Sequence, residues 1–193
     1  RLTEQADYEK WYGLTYKYPE LHKKSLYCLP EINRDKISGI DIIANPGCYP
    51  TSIALGLMPV LKNKMCDPSA GIIIDSKSGV TGAGRSLTQN THYPDTNEAF
   101  AAYKAAVHRH TPEIEEQLSY AAGEEVIINF TPHLVPMNRG ILVTAYANLV
   151  KDVTEEEIRK IYEDAYKDEQ FVRFLNAGVC PETRWVEGSN YVD

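Results

Sequence analysis

The sequence predicts a mixed-sheet domain of the α+β or α/β class. Four apolar runs have the length and β-branched composition of strands, and helical patterns separate them at uneven intervals. Of the 193 residues, 43% are hydrophobic and 24% are charged, which is typical of a globular chain with a buried core. The uneven alternation of strands and helices argues against a barrel.

The first third of the chain predicts helix and loop, then a strand, a tight turn and a helix. Residues 2–29 are rich in Tyr, Trp and Lys and favour helix and loop. The β-branched run 40–44 is typical of a strand, and the Asn-Pro-Gly sequence of residues 45–47 is typical of a turn. From Cys48 onward, apolar residues recur at helical spacing as far as Pro59, where we expect the helix to kink or end.

The middle of the chain predicts a second buried strand and a glycine-rich loop. The strand covers residues 70–78 and the loop covers residues 79–85. Residues 97–106 favour a helix. Thr111 as N-cap, with a proline directly after it, predicts the start of another helix.

The last third predicts two long strands and an amphipathic helix. The strands cover residues 125–131 and 141–149. The helix covers residues 154–166 and opens with a capping-box pattern. Residues 171–193 favour short strands.

Charge and composition exclude several kinds of protein. A net charge of −7 argues against a general nucleic-acid or membrane-surface binder, so an anionic ligand needs local arginines. No apolar run approaches the roughly 18 residues of a membrane-spanning helix. The four cysteines are widely spaced without a C-x-x-C pair, which predicts free thiols and a cytoplasmic location.

Cys48 is the first candidate for chemistry. It stands at the predicted helix start, where unpaired N–H groups and the helix dipole favour thiolate over thiol. The alternative is a small buried core cysteine. The residues alone leave these two interpretations evenly balanced.

Histidines 108 and 110 are the candidates for a proton partner. A thiolate nucleophile needs such a partner, and His108 and His110 form the one histidine cluster of the sequence. Two histidines one residue apart also suit zinc, but no third ligand stands at metal spacing, so we expect no metal site. A solvated turn before the next helix is the alternative. The other three histidines are expected to be structural or on the surface.

The glycine-rich loop resembles a dinucleotide loop only superficially. It reads G-x-x-G-x-G, beginning with Gly79 and Gly82, and not G-x-G-x-x-G. Its freed N–H groups, beside Ser78 and Arg85, suit a phosphate or a carboxylate. An ordinary flexible loop is the alternative.

Three arginines stand in turn-like contexts flanked by Gly, Pro or His. These are Arg85, Arg109 and Arg139. The guanidinium group suits a bidentate contact with carboxylate or phosphate. Arg139 lies in the stiff connection 132–140 between the two long strands, and a surface turn is its alternative role.

Four segments match, in order along the chain, the motifs of one enzyme family. They read N-P-G-C-Y-P-T at 45–51 with G-L-M-P at 56–59, S-G-V-T-G-A-G-R at 78–85, H-R-H-T-P-E-I at 108–114, and T-P-H-L-V-P-M-x-R-G at 131–140. Residues 12–14 and 27–31 extend the match over essentially the whole chain, while Cys28 and Ser52 depart from the usual pattern. The sequence resembles N-acetyl-γ-glutamyl-phosphate reductase.

The resemblance implies a reaction and its catalytic residues. The reaction is the NADPH-dependent reduction of N-acetylglutamyl 5-phosphate to the 5-semialdehyde with release of phosphate, a step of arginine biosynthesis without a metal. Cys48 would form a thioester with the substrate, and His110 would be the acid/base. His108 is a weaker candidate for the same role, and Glu113 would orient His110.

The resemblance also implies a set of binding residues. The substrate would be bound by Asn45, Ser78, Gly79, Arg85, Arg109 and Arg139. Gly79 and Gly82 would make minor contacts with NADP, whose main site would lie outside this chain.

The implied fold is an α+β (α/β) domain with a mixed, largely antiparallel sheet and helices on one face. It would be similar to the catalytic domain of glyceraldehyde-3-phosphate and semialdehyde dehydrogenases. Residues 1–47 would be the end of a dinucleotide-binding Rossmann domain, and residues 48–193 the catalytic and dimerisation domain. We expect a chain truncated at both ends, without turnover of its own, from a cytoplasmic homodimer or homotetramer.

Three other functions remain open at this point. A related semialdehyde dehydrogenase would act on an aspartyl or aminoadipyl substrate. The fragment alone would dimerise and bind anions without turnover. A cysteine hydrolase with a Cys48–His110 pair would release free acid without a nicotinamide cofactor.

Overall fold

The computed structural model describes residues 2–193, and within them the chain forms seven α-helices and six strands. The helices are α1 (Gln5–Tyr12), α2 (Pro19–Lys23), α3 (Pro30–Asn33), α4 (Cys48–Lys62), α5 (Tyr93–Thr96), α6 (Thr111–Ala122) and α7 (Glu155–Tyr166). The strands are β1 (Ser25–Tyr27), β2 (Ile42–Ala44), β3 (Ile72–Gly79), β4 (Ala101–Ala102), β5 (Ile128–Val135) and β6 (Ile141–Tyr146). Short 3₁₀ turns connect several of them.

The main sheet has the strand order β4-β5-β3-β6. β3 and β5 run parallel, in register from Ile72 opposite Ile128 to Gly79 opposite Val135. β6 pairs antiparallel with the other edge of β3, and the short β4 pairs antiparallel with β5. Two of the three pairings are antiparallel and the longest one is parallel, so the sheet is mixed, as predicted.

Helices pack on one face of this sheet. Alternate side chains of β3 and β5, among them Ile72, Ile74 and Phe130, are buried in one core with α4 and α6. Every second side chain is buried because successive residues of a strand point to opposite faces of the sheet. The same alternation leaves Ile73 (53% exposed) and Tyr146 (61% exposed) on the opposite, open face.

A small parallel sheet of β1 and β2 leads the chain into α4. Its register places Tyr27 opposite Ala44. The turn 45–47 follows directly and delivers Cys48 to the first position of α4. The predicted succession of strand, turn and helix is therefore confirmed.

The helix α4 does not end at Pro59 but runs to Lys62. A proline inside a helix has no N–H, so the carbonyl of Leu55 loses its usual helical donor. The Tyr166 hydroxyl of α7 donates to that carbonyl at 2.6 Å. A hydrogen bond from α7 thus satisfies the backbone group that the proline frees.

The helix predicted over residues 97–106 is wrong. The chain there forms the short strand β4 and turns, with Glu98, Lys104 and Ala106 at positive φ. A left-handed residue cannot continue a right-handed helix. Pairing of β4 with the edge of β5 therefore overrides the local helical pattern.

The C-terminal segment contains less regular structure than predicted. Residues 171–193 form an isolated bridge between Val172 and Val192 and a 3₁₀ turn at Thr183–Trp185. The chain end is held by Arg173, whose guanidinium donates to the Asp193 carboxylate at 2.6 and 2.7 Å. This segment packs beside α4 and β6 and forms one wall of the candidate site.

Candidate active site

Cys48 is the first residue of α4 and its side chain is exposed. Gly47 is the N-cap, and its carbonyl accepts hydrogen bonds of 2.9 Å from both the amide and the hydroxyl of Thr51. The first amides of a helix have no partner within the helix, and its dipole adds positive potential. Both effects favour negative charge on a sulfur atom at this position.

His110 lies against the turn before Cys48. A Cβ atom at position 47 would lie 2.6 Å from His110 Nε2 and 2.7 Å from Cε1, so the imidazole edge rests on the Gly47 backbone. Because of this close approach, any side chain at position 47 displaces the ring. The structure therefore brings the two predicted catalytic residues to one turn.

Glu113 is completely buried in the first turn of α6, with 0% exposure. Its Oε1 accepts hydrogen bonds from the Gly47 amide at 2.9 Å and from the Tyr27 hydroxyl at 3.0 Å. Hydrogen-bond donors offset the free-energy cost of burying a carboxylate. The positive end of the helix dipole also stabilises a negative charge at this position. Glu113 thus holds the turn before Cys48, a contact that sequence reasoning missed.

His108 is buried beside His110 but in a different environment. Burial, with the nearby charges of Lys104 and Arg109, lowers the pKa of His108 to about 4. Its Nδ1 accepts a hydrogen bond of 3.1 Å from the His110 amide. The ring packs edge-on against the aromatic rings of Tyr49, Tyr103 and Phe130. This arrangement favours a neutral, supporting histidine.

Two turns interlock beside Ser78, namely residues 79–82 and 137–140. Four hydrogen bonds join them: Gly79 N to Gly140 O (3.0 Å), Val80 N to Met137 O (2.9 Å), and Thr81 N and Oγ1 to Asn138 O (3.1 and 2.6 Å). A Cβ atom at position 79 would lie 2.6 Å from the Asn138 carbonyl oxygen, so this position requires glycine. The interlock fixes the position of Arg139.

An open cleft of about 960 Å³ runs past Cys48. Six of the predicted site residues line it: Asn45, Cys48, Ser78, Gly79, Gly82 and Arg139. His108, His110 and Glu113 lie buried behind the turn and are not part of the lining. Arg139 is thus the predicted arginine that shares the cleft with Cys48.

The other two predicted arginines lie elsewhere. Arg85 is exposed and does not line the cleft. The Arg109 guanidinium lies over the Tyr12 ring, 5.9 Å from its centroid, and is also outside the lining. Thr183, Ser189 and Tyr191 complete the cleft from the C-terminal segment, and no sequence motif singled them out.

The described residues contain neither a metal-ion cluster nor a membrane-spanning helix. Within residues 2–193, no group of three or more His, Cys, Asp or Glu side chains is arranged to hold a metal ion. No helix in the same range is long and apolar enough to cross a membrane.

The fold and the site define a class of protein. Residues 48–193 match the family described as the semialdehyde dehydrogenase dimerisation domain, and the chain belongs to that family. Solved structures with the same fold include aspartate semialdehyde dehydrogenase II from Vibrio cholerae, with a TM-score of 0.66 and 15% identity, over 88% of this chain and 56% of that chain. The enzyme from Francisella tularensis gives a TM-score of 0.66 and 12% identity, over 88% and 60%.

The curated relatives indicate a particular enzyme, whereas the fold indicates only a class. The chain is 53% identical, over its full length, to the N-acetyl-gamma-glutamyl-phosphate reductase of Pelotomaculum thermopropionicum. It is 57% identical, over 92% of its length, to the enzyme of that name from Clostridium beijerinckii. The resemblance seen in the motifs is confirmed. The chain spans only 55% and 52% of these two relatives, about half of their length.

Proposed function

We propose that this chain is the catalytic part of an NADPH-dependent reductase of N-acetyl-L-glutamyl 5-phosphate, which forms N-acetyl-L-glutamate 5-semialdehyde and phosphate in arginine biosynthesis. The observation that carries the proposal is Cys48 at the start of α4 with the His110 ring against Gly47. Relatives of that name at more than 50% identity support the choice of substrate.

Cys48 is the nucleophile in this proposal. Its Sγ attacks the acyl carbon, a C–S bond forms, and the bond from that carbon to the phosphate oxygen breaks, so that phosphate leaves and a thioester remains. His110 takes the thiol proton, and the resulting imidazolium stabilises negative charge on the carbonyl oxygen. When bound, NADPH supplies the hydride that converts the thioester to the aldehyde and frees the sulfur.

The cleft provides positive potential for the anionic substrate. Arg139 lines it and offers a bidentate donor for a carboxylate or a phosphate. The N-terminus of α4 opens into the same cleft and favours the negative charge that develops at the acyl carbon's oxygen. The net charge of −7 therefore does not oppose an anionic ligand at this place.

The described residues provide space for the nicotinamide end of NADP but no binding site for its phosphates. The cleft beside Cys48 has room for a nicotinamide ring and a small acid. The loop that begins at Gly79 does not present a row of free amides to a phosphate, because the amides of Gly79, Val80 and Thr81 donate to the carbonyls of Gly140, Met137 and Asn138. We infer that residues 1–47 end a dinucleotide domain whose phosphate site lies in the part of the relatives that this chain does not span. The isolated chain is then expected to lack turnover.

The proposal also includes a homo-oligomer. The family description names dimerisation, and the open face of the main sheet presents the exposed apolar side chains Ile73, Ile127 and Tyr146. Ile73 and Tyr146 are paired across β3 and β6, so they form one patch. Such a patch suits a second copy of this chain. A cytoplasmic location stays a prediction from the sequence.

Acyl transfer without reduction tests the proposed reaction. N-acetylglutamyl 5-phosphate should release a stoichiometric burst of phosphate and leave a hydroxylamine-sensitive adduct on the peptide that contains Cys48, detected by mass spectrometry. Cys48→Ser should abolish the adduct. Cys180→Ser is the matched control, because Cys180 is also exposed, and it should leave the burst unchanged.

The same assay separates the alternatives. Faster acylation by aspartyl phosphate or by the aminoadipyl phosphate would assign the chain to another semialdehyde dehydrogenase. Continuous release of free acid would indicate a cysteine hydrolase. No adduct with any of the three acyl phosphates would contradict the nucleophilic role of Cys48.

A further inference from the structure

We propose that Tyr27 is a positioning residue for the nucleophile, acting through Glu113 on the backbone of Gly47. The inference deepens the proposed function and rests on it, since it concerns how the thiol of Cys48 is held. Tyr27 belongs to the segment that precedes the family match at residues 48–193. The segment before Cys48 thereby contributes to the site.

Three elements meet at one carboxylate oxygen. Tyr27 ends β1, Gly47 caps α4 and Glu113 lies on α6. The Tyr27 hydroxyl and the Gly47 amide both donate to Glu113 Oε1, at 3.0 and 2.9 Å. Hydrogen bonds to a carboxylate are stronger than those between neutral groups. The pair of bonds therefore ties the end of β1 to the turn before Cys48.

Besides the packing of the His110 ring on Gly47, the turn has few other attachments to the rest of the fold. Pro46 has no N–H to donate. Gly47 has no side chain, and it caps α4 without a side-chain hydrogen bond. The Asn45 side chain bonds only to the neighbouring Pro46 carbonyl, at 3.1 Å. The Gly47 amide is thus the group through which α6 sets the orientation of the peptide that enters Cys48.

Tyr27 matters because Glu113 is completely buried. A carboxylate in that position depends on every donor that reaches it, since water cannot replace a lost one. The β1–β2 register holds Tyr27 opposite Ala44, directly before the turn, so its hydroxyl is fixed from the same side as Gly47. Removal of the hydroxyl leaves Oε1 with the Gly47 amide and allows the carboxylate to shift.

The competing role for Glu113 is to set the charge of His110. A glutamine at this position distinguishes the two roles. A glutamine at position 113 keeps an oxygen acceptor for both donors but carries no charge. Positioning is therefore rescued by Glu113→Gln, whereas a purely electrostatic role is not.

The experiment measures amide exchange of Gly47 by NMR and the pH profile of Cys48 alkylation by iodoacetamide, in the same chain. Tyr27→Phe keeps the ring and should speed Gly47 exchange about tenfold, as expected for a lost hydrogen bond to a carboxylate. It should also slow the alkylation of Cys48 at neutral pH and leave Cys180 labelling unchanged. Glu113→Ala should give larger changes, and Glu113→Gln should recover most of the Gly47 protection.

Tyr16→Phe is the matched control. It removes another half-buried tyrosine hydroxyl of the same N-terminal segment, one that donates to the Leu2 carbonyl at 2.7 Å. It should leave both readouts at their original values. Thermal unfolding of each variant separates a local change at the turn from a general loss of stability.

The alkylation and exchange results distinguish the positioning role of Tyr27 from its alternatives. Unchanged Gly47 exchange and an unchanged Cys48 profile in Tyr27→Phe would overturn this inference while leaving Cys48 as the nucleophile. Equal loss of Cys48 reactivity in Glu113→Gln and Glu113→Ala, with Gly47 protection retained in Glu113→Gln, would overturn it in favour of the electrostatic role. Equal alkylation of Cys48 and Cys180 in the unmodified chain would instead overturn the proposed function itself, and the inference with it.

Discussion

His108 and His110 are two residues apart, but their surroundings permit different chemistry. His108 is enclosed by aromatic rings, its pKa is lowered to about 4, and its Nδ1 is engaged by the His110 amide. The Nε2 edge of His110 rests on the turn that carries Cys48. We therefore assign the proton transfer of the proposed mechanism to His110 and a supporting role to His108.

The His108 environment predicts a pH dependence of stability. The folded-state pKa of about 4 lies below the ordinary value of 6.5, so the unfolded chain binds an additional proton between these pH values. The stabilisation is fully present above pH 6.5 and is lost as the pH falls towards 4, by up to about 3 kcal/mol. Urea unfolding at pH 7 and pH 5 should detect about 2 kcal/mol of this loss, because pH 5 lies between the two pKa values.

His108→Gln provides the comparison for that measurement. Glutamine does not titrate and keeps an acceptor for the His110 amide. The variant should therefore lose less free energy of unfolding between pH 7 and pH 5 than the unmodified chain. Identical losses in both proteins would show that His108 does not titrate as described.

Residues with a local signature could be predicted, and residues defined by long-range contacts could not. Cys48, His110 and Arg139 stand in turn or helix-start sequences whose chemistry is visible in the sequence. The Tyr27–Glu113 hydrogen bond joins residues 86 positions apart. Such a pair has no spacing rule, because tertiary packing alone brings β1 to α6. The sequence likewise could not predict that Arg85 and Arg109 are exposed and lie outside the cleft, because the positions of their side chains depend on the tertiary fold.

The helix α4 carries Cys48, the proposed nucleophile, and contacts from a neighbouring element stabilise this helix. Pro59 frees the Leu55 carbonyl inside the core, and the Tyr166 hydroxyl of α7 satisfies it. The hydroxyl of Tyr162, also on α7, donates a second hydrogen bond to α4, at 2.5 Å to the Gly56 carbonyl. The two hydroxyls bind α7 to the middle of α4.

Tyr166→Phe tests this link between α7 and α4. Loss of the hydroxyl leaves a buried carbonyl without a donor, which should lower the free energy of unfolding by about 1–3 kcal/mol. Denaturant unfolding measures it, with Tyr18→Phe as a control at an exposed tyrosine. In a Pro59→Ala background the restored amide can satisfy Leu55, so Tyr166→Phe should cost less there. Equal costs in both backgrounds would refute the link.

Elements with a buried periodic pattern could be predicted, whereas elements set by edge pairing could not. The strands β3 and β6 lie close to their predicted ranges because their apolar runs contribute to the core. The strand β5, predicted at 125–131, runs from Ile128 to Val135, so the first part of the predicted connection 132–140 pairs with β3 instead. Residues 97–106 have a helical pattern, but β5 offers an open edge and the chain turns through left-handed residues to reach it. Local propensity is a weak guide where such pairing competes.

On the scale of the whole molecule, the sheet has one face that supports the site and one open face, which we propose as the contact with a second copy. The buried face supports α4 and α6, which carry Cys48 and Glu113. The open face carries the paired Ile73 and Tyr146, and beside them a contact of 2.9 Å between His133 Nδ1 and Asp75 Oδ1. Association through the open face would leave the cleft accessible.

Ile73→Lys tests the proposed homo-oligomer. A charge in the middle of the apolar patch should shift the chain from dimer to monomer, because it places like charges opposite each other across a two-fold interface. Sedimentation velocity over a range of concentrations measures the distribution. Val179→Lys, at an exposed apolar residue of the C-terminal segment, is the control and should leave it unchanged. A monomeric unmodified chain, or a dimeric Ile73→Lys variant, would contradict the proposed interface.

Cys48 is proposed as a nucleophile activated by its place at the start of α4 and by His110. Competitive alkylation by iodoacetamide, followed for all four cysteines by mass spectrometry from pH 5 to pH 9, measures this activation. Cys48 should react at least about tenfold faster than Cys180, which is also exposed, near neutral pH, and His110→Ala should remove most of this difference. Equal rates at the two exposed cysteines, or an unchanged Cys48 rate in His110→Ala, would contradict it.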